Sequence, residues 1–283
     1  MLKCGGYEMD YVKPNDVVRE MATAGENKAK LTVTEILIKA ILSGAFLGYA
    51  TTLAFTGAVQ SNLDIVGAII FPTGFVMILL LNLELVTGSF AIIPIAALRK
   101  QTNIPLMLRN FFWAFLGNLL GSLFYALLFV IYITQFGNAD IADSLIGQKI
   151  IAVAESKTVA YQALGSDGMI VLFVKALLCN WMVTLGAVMA FTSKSTVGKI
   201  DAMWIPVFIF FAQGFEHAVV NMFVIPAGMM LGADIGMGDW WLWNQIPVTI
   251  GNFLSGFLFT ALALHLVTKK DLGTKNDFIN KAS

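Results

Sequence analysis

The sequence predicts an all-α integral membrane protein with six transmembrane helices, built as an inverted three-plus-three repeat. Three observations carry that prediction. The 283 residues are 58% hydrophobic and only 13% charged, with a mean hydropathy of +0.77, a composition suited to lipid rather than water. Six apolar runs are each long enough to cross ~30 Å of hydrocarbon. Short motifs also recur in the same order in the two halves, as a duplicated three-helix unit would require.

Residues 1–34 read as a cytoplasmic arm. Within it, Pro14–Ala24 has Asn15 and Asp16 behind the proline, then Val17, Val18 and Met21 on one side. That spacing predicts a short amphipathic helix at the cytoplasmic interface or against a neighbouring subunit. The arm holds no apolar stretch like that of a signal peptide, so no cleavage is expected. Residues 35–267 form the transmembrane domain, with spans at Glu35–Phe55, Gly67–Ala97, Asn110–Thr134, Gly168–Phe191, Met203–Leu231 and Trp243–Val267. Residues 268–283 are a cytoplasmic tail.

Charge gives the orientation. Lys and Arg collect in the arm, at Arg99, Lys100 and Arg109, at Lys194 and Lys199, and in the tail. Gln60–Asp64 and Ala233–Asp239 have neither, and Gln135–Asp167 sets Lys149 and Lys157 against Asp140, Asp143, Glu155 and Asp167. The positive-inside rule then puts both termini in the cytoplasm. Asn138–Gln162, with apolar residues at helical spacing, is expected outside as an amphipathic segment, and Trp240, Trp241 and Trp243 form an outer aromatic belt. The two cysteines, Cys4 in the arm and Cys179 in a span, support no disulfide framework.

The repeat is read from three matches. Lys39-Ala-Ile-Leu parallels Lys175-Ala-Leu-Leu, Phe71-Pro-Thr-Gly-Phe75 parallels Phe211-Ala-Gln-Gly-Phe215, and Gly117-Asn118 parallels Gly251-Asn252. Three crossings per copy turn the second copy upside down. In each half the second span is interrupted. The first carries Asn82, Glu84, Thr87, Gly88 and Ser89 mid-span, with Pro94 after them; the second carries Gly214-Phe-Glu216-His217, then Asn221 and Pro226. Ionisable groups at membrane depth are costly and mark function. Broken helices carrying polar groups are how transport proteins build permeation sites, so the chain points to transport rather than catalysis.

These residues resemble the formate/nitrite transporter family, whose members include formate, nitrite and hydrosulfide channels. The likeness runs from about Pro14 to Leu266 and rests on Glu84-Leu-Val-Thr-Gly-Ser89, Asn180, Gly214-Phe-Glu-His-Ala-Val-Val-Asn221 and Ile246-Pro-Val-Thr-Ile-Gly-Asn252. The resemblance implies a homopentamer with one pore per protomer and an aquaporin-like helix arrangement. It also implies that the breaks in the second and fifth spans meet at the pore centre. By position, His217 is the central pore histidine, Thr87 lies on the opposing loop, and Asn180 lines the pore from the fourth span. Phe71, Phe75 and Phe210 fall at the outer apolar constriction, and Leu85 and Val86 at the inner one. Lys157 falls at the outer-vestibule lysine, with an insertion between it and Asn180. Val86 stands where formate channels tend to have Phe, and Asn82 sits near the loop entrance; both departures point away from formate.

A carboxylate facing an anion path would repel its cargo, so Glu84 and Glu216 are assigned as props, together with Ser89 and Asn221. The expected function is a channel for small monovalent weak-acid anions, hydrosulfide first and formate or nitrite next, with His217 donating a hydrogen bond or proton at the centre. A proton-coupled formate/nitrite carrier and an aquaporin-like neutral-solute channel are the alternatives, although no Asn-Pro-Ala motif occurs. No cofactor, metal or nucleic acid is expected, since the second histidine, His265, lies near a span end. The bilayer expected is a bacterial inner membrane.

Overall fold

In the computed structural model, the described residues are 10–268 together with the backbone of Lys3–Cys4 and Tyr7–Glu8, which pair as a two-residue antiparallel ladder. The expected tail, from residue 269 onward, and the side chain of Cys4 lie outside the described residues. Apart from that ladder and an isolated bridge between Tyr11 and Ser193, the described structure is helical or irregular.

Helix α1 (Pro14–Lys30) opens with proline in its first turn. Helix α2 (Val33–Ser61) starts at a capping box, Thr32 with Glu35, and stops where Asn62 turns left-handed at φ 56°. The second apolar segment follows as α3 (Asp64–Ile70), α4 (Pro72–Leu80) and, after a break, α5 (Val86–Leu98). Helix α6 (Ile104–Thr134) is capped by Asn103, whose side chain accepts from the Leu106 amide at 2.9 Å. The second half runs through α7 (Leu145–Ser156), α8 (Val159–Ala163), α9 (Gly165–Met189) and α10 (Thr196–Ala212). A second break leads to α11 (Ala218–Met230), and α12 (Met237–Thr268) is the last described helix, with π-helical stretches at Trp241–Gln245 and Gly256–Leu262. Among the described residues four helices are long and apolar enough to cross a membrane, Val33–Ser61, Ile104–Gly137, Gly165–Met189 and Met237–Thr268. The chain is a multi-pass membrane protein.

Both breaks are made the same way. After α4, Leu83 N–H reaches back to Ile78 O at 2.9 Å and Asn82 turns left-handed (φ 51°). After α10, Phe215 N–H reaches Phe210 O at 3.2 Å and Gly214 turns left-handed (φ 62°). This is the Schellman closure, and Gly and Asn are the residues that tolerate its left-handed position. Asn82 therefore owes its place to helix termination, as Gly214 does. The same equivalence, 214 − 82 = 132, corrects one match drawn from sequence, since it pairs Phe211 with Leu79 rather than with Phe71. Phenylalanine is frequent here, 22 residues, so a Phe-x-x-Gly-Phe coincidence arises easily.

Two peripheral expectations change as well. Helix α1 runs past Ala24 to Lys30 and packs within the chain against α5, burying Val17, Val18, Met21, Ala22, Gly25 and Ala29. A Cβ at Gly25 would overlap the Ile92 carbonyl, so glycine is what lets the two backbones meet. Helix α7 packs correspondingly on α11, where Gly228 faces Ala154. Trp240 leaves the expected aromatic belt for the interior, 4% exposed, where its Nε1–H donates to Gln245 Oε1 at 3.2 Å.

Candidate functional site

The two breaks are fastened from behind by a pair of asparagines that make the same bonds. Asn118 Oδ1 accepts from the Val86 amide (3.0 Å), while its Nδ2 donates to Ala40 O (2.9 Å) and Glu84 O (2.9 Å). Asn252 Oδ1 accepts from the Ala218 amide (2.9 Å), while its Nδ2 donates to Ala176 O (2.8 Å) and Glu216 O (3.0 Å). Each asparagine thus serves the first amide of a short helix and one carbonyl of the break before it. Those groups would otherwise be unpaired at a depth without water.

Each break also holds a buried carboxylate with a lysine. Glu216 Oε2 accepts from Lys157 Nζ (3.0 Å), Asn221 Nδ2 (2.8 Å) and Asn244 Nδ2 (3.3 Å), and Oε1 from the Tyr161 hydroxyl (3.0 Å). Glu84 Oε1 accepts from Lys28 Nζ (2.6 Å) and Oε2 from Asn110 Nδ2 (3.3 Å). The outer asparagines are bound alike, Asn110 Nδ2 donating to Lys28 O and Asn244 Nδ2 to Lys157 O. Both carboxylates are satisfied by side chains rather than by the amides of the breaks.

Between the breaks, Thr87 Oγ1 and His217 Nε2 lie 3.0 Å apart. His217 is the N-cap of α11, and its Nδ1 accepts from the Val220 amide at 3.1 Å. An amide can only donate there, so the ring proton sits on Nε2 and is given to the Thr87 oxygen. Phe210 stacks on the imidazole with ring centres 5.6 Å apart. Asn180 spends both Nδ2 protons on Thr87 O (3.1 Å) and Asn252 O (2.7 Å), leaving its buried Oδ1 without a partner among the described residues. A Cβ built on the buried Gly88 would meet no atom within 4 Å, so a hollow adjoins α5 here.

A cavity of ≈ 210 Å³ reaches this centre, lined among others by His217, Val220, Phe210, Phe211, Phe215 and Lys157. A second, of ≈ 330 Å³, is lined by Lys28, Asn82, Leu83, Ile92 and Lys199. Phe71 is fully buried behind the first, stacked on Phe211 at 3.9 Å and edge-on to Phe210 at 5.7 Å. Phe75 is also buried and packs towards Gly186. Leu85 is the buried N-cap residue of α5, and Val86 borders a lateral groove with Phe90, Phe111 and Phe253. Ser89 Oγ and Asn221 Oδ1 are buried with no partner among the described residues. Sequence reading missed Lys28, Asn110, Tyr161 and Asn244. The asparagines were within reach, since 244 − 110 equals 252 − 118, the spacing of the Gly-Asn motifs.

The sequence profile described as formate/nitrite transporter matches residues 15–266. The chain belongs to the formate/nitrite transporter family. A relative named formate channel BtFdhC, from Bacillus thuringiensis, is 31% identical over 90% of this chain and 95% of its own. A solved structure described as an FNT family ion channel superposes with a TM-score of 0.75 at 25% identity, covering 89% of this chain and 99% of that one. A pentameric formate channel with formate bound shares the fold, with a TM-score of 0.65 at 23% identity over 83% of this chain and 97% of its own. This formate/nitrite transporter family chain is a membrane transport protein, not an enzyme.

Proposed function

We propose that the protein is a channel for small monovalent weak-acid anions, with formate first and hydrosulfide and nitrite behind it. The observation that carries this reading is the Thr87–His217 contact, which joins two broken segments beside a hollow and a lysine-lined cavity. Formate stands ahead of hydrosulfide because BtFdhC is named for formate and because Asn82, one of the two departures from the formate pattern, serves as a helix terminator.

A dry passage penalises a bare anion. At the Lys157 and Lys28 cavities, taken as outer and inner vestibules, an ammonium anchored by a glutamate keeps protons to offer the anion. At the centre the N-termini of α5 and α11 supply positive dipole ends. Thr87, accepting a hydrogen bond from His217 Nε2–H, can turn its own hydroxyl proton towards the permeant. The unpartnered Asn180 Oδ1 suits the O–H of the protonated acid. Phe210 and Phe211 with Phe71 behind them, and Leu85 with Val86, form the apolar constrictions on either side.

The matched Asn118 and Asn252 bonds, the paired Schellman closures and the α1/α7 packing support six crossings in an aquaporin-like inverted repeat. The charge distribution supports cytoplasmic termini in a bacterial inner membrane. The pentameric neighbour supports a homopentamer. The test is flux into proteoliposomes under equal gradients of formate, hydrosulfide, nitrite, chloride and glycerol, with an internal pH dye. Rapid weak-acid flux with slow glycerol is expected; fast glycerol with no anion flux would establish the neutral-solute alternative.

A further inference from the structure

The mouth of the Lys157 cavity carries a charge arrangement that the passage itself does not use. Lys149, on α7, and Asp64, the first residue of α3, both line this cavity, and their Nζ and Oδ1 atoms lie 2.7 Å apart. The Asp64 side chain is 81% exposed and that of Lys149 31%. An ion pair so open to solvent contributes little to stability, so holding α3 to α7 does not account for it. Its electrostatic effect is larger. Alone, Lys149 would place a second cation on the approach to Lys157 and draw anions inward; beside Asp64 its charge is cancelled. In the other cavity Lys199 has no carboxylate within 4.0 Å among the described residues, Asp10 acting on it only from further off, so the two mouths present different charge to an arriving anion.

We propose that Asp64 masks Lys149 and thereby holds down the rate at which anions are captured at this mouth. The inference rests on the channel reading above and adds a residue pair that sets capture rate without touching the central contact. A charge at the rim of a cleft acts over about a Debye length, so its influence must fade with added salt.

The experiment compares initial formate uptake by proteoliposomes of wild type, Asp64→Asn and Lys149→Gln, at sub-saturating formate and at ionic strengths of about 0.02 M and about 0.5 M. At low salt Asp64→Asn should raise uptake about two- to threefold and Lys149→Gln should not raise it, while at high salt all three converge. In the double variant the gain from Asp64→Asn should vanish. A merely structural tie would make both single variants fall together, and that result overturns the proposal. So does wild-type flux that neither variant changes. Wild-type vesicles that pass no formate would overturn the channel reading itself, a failure distinguishable from the other two.

Discussion

Replacing the lysine of each buried pair should have unequal consequences, although the two pairs look alike. In Lys28→Met, Glu84 retains one neutral side-chain donor, Asn110 at 3.3 Å. In Lys157→Met, Glu216 retains Tyr161 at 3.0 Å, Asn221 at 2.8 Å and Asn244 at 3.3 Å. Both carboxylates are 1% exposed, so water does not replace the lost ammonium. Removing one partner of a buried ion pair costs about 3–5 kcal/mol. Two extra donors to a charged acceptor, at about 1.5 kcal/mol each, offset about 3 kcal/mol of that in Lys157→Met. Thermal unfolding of the purified variants in detergent, followed by near-ultraviolet circular dichroism, reads the difference. At about 2–4 °C per kcal/mol for a chain of this size, Lys28→Met should melt about 6–12 °C below Lys157→Met. Adding Glu84→Gln to Lys28→Met should recover most of the loss, because the uncompensated charge is gone. Equal midpoints, or the reverse order, would refute the reasoning.

Other consequences are as direct. Asn118→Leu and Asn252→Leu each strip partners from three buried backbone groups and should destabilise similarly, by about 3 kcal/mol or more, in the same unfolding assay. His217→Ala removes the cap of α11 and should cost about 1 kcal/mol of stability, whereas His217→Asn keeps a capping side chain and should lose only a fraction of that. Gly88→Ser places its side chain in open space, so the melting temperature should hold while formate flux falls severalfold. Asp10 accepts from the Ser193 hydroxyl (2.7 Å) and the Ser195 (2.6 Å) and Lys194 (2.7 Å) amides, which hold its carboxyl below the usual range. The clip it forms is thus fully present above about pH 4 and lost only as pH falls through the lowered value. Hydrogen exchange at Ser195 should be faster in Asp10→Ala, which removes the accepting side-chain oxygen, and the protection that wild type shows should not change between about pH 5 and about pH 8.

Much of this molecule is legible from sequence because lipid imposes simple rules. Apolar runs locate the long helices, and polar residues inside two of them locate the breaks; Glu84, Thr87, Glu216 and His217 stand out for that reason. The unreadable part depends on contacts between segments. Lys28 lies in a polar arm, where a lysine reads as solvated, and only the packing of α1 on α5 brings it to Glu84. That packing uses Ala22, Gly25 and Ala29, whose small side chains carry little hydropathy but permit close approach. Trp240 looked like a belt residue until Gln245 gave its indole N–H an interior partner. Asn180 stands out in sequence as a polar residue inside an apolar span, yet which of its amide atoms is free depends on where Thr87 O and Asn252 O fall.

The most direct measurement of the role given to Thr87 and His217 is formate flux against external pH for wild type and His217→Asn in the same proteoliposomes. If the hydrogen bond that His217 Nε2–H gives Thr87, freeing the Thr87 hydroxyl to donate to the permeant, assists passage, wild-type flux exceeds that of His217→Asn, still folded, at every pH. Identical rates and identical pH profiles in the two proteins would contradict it.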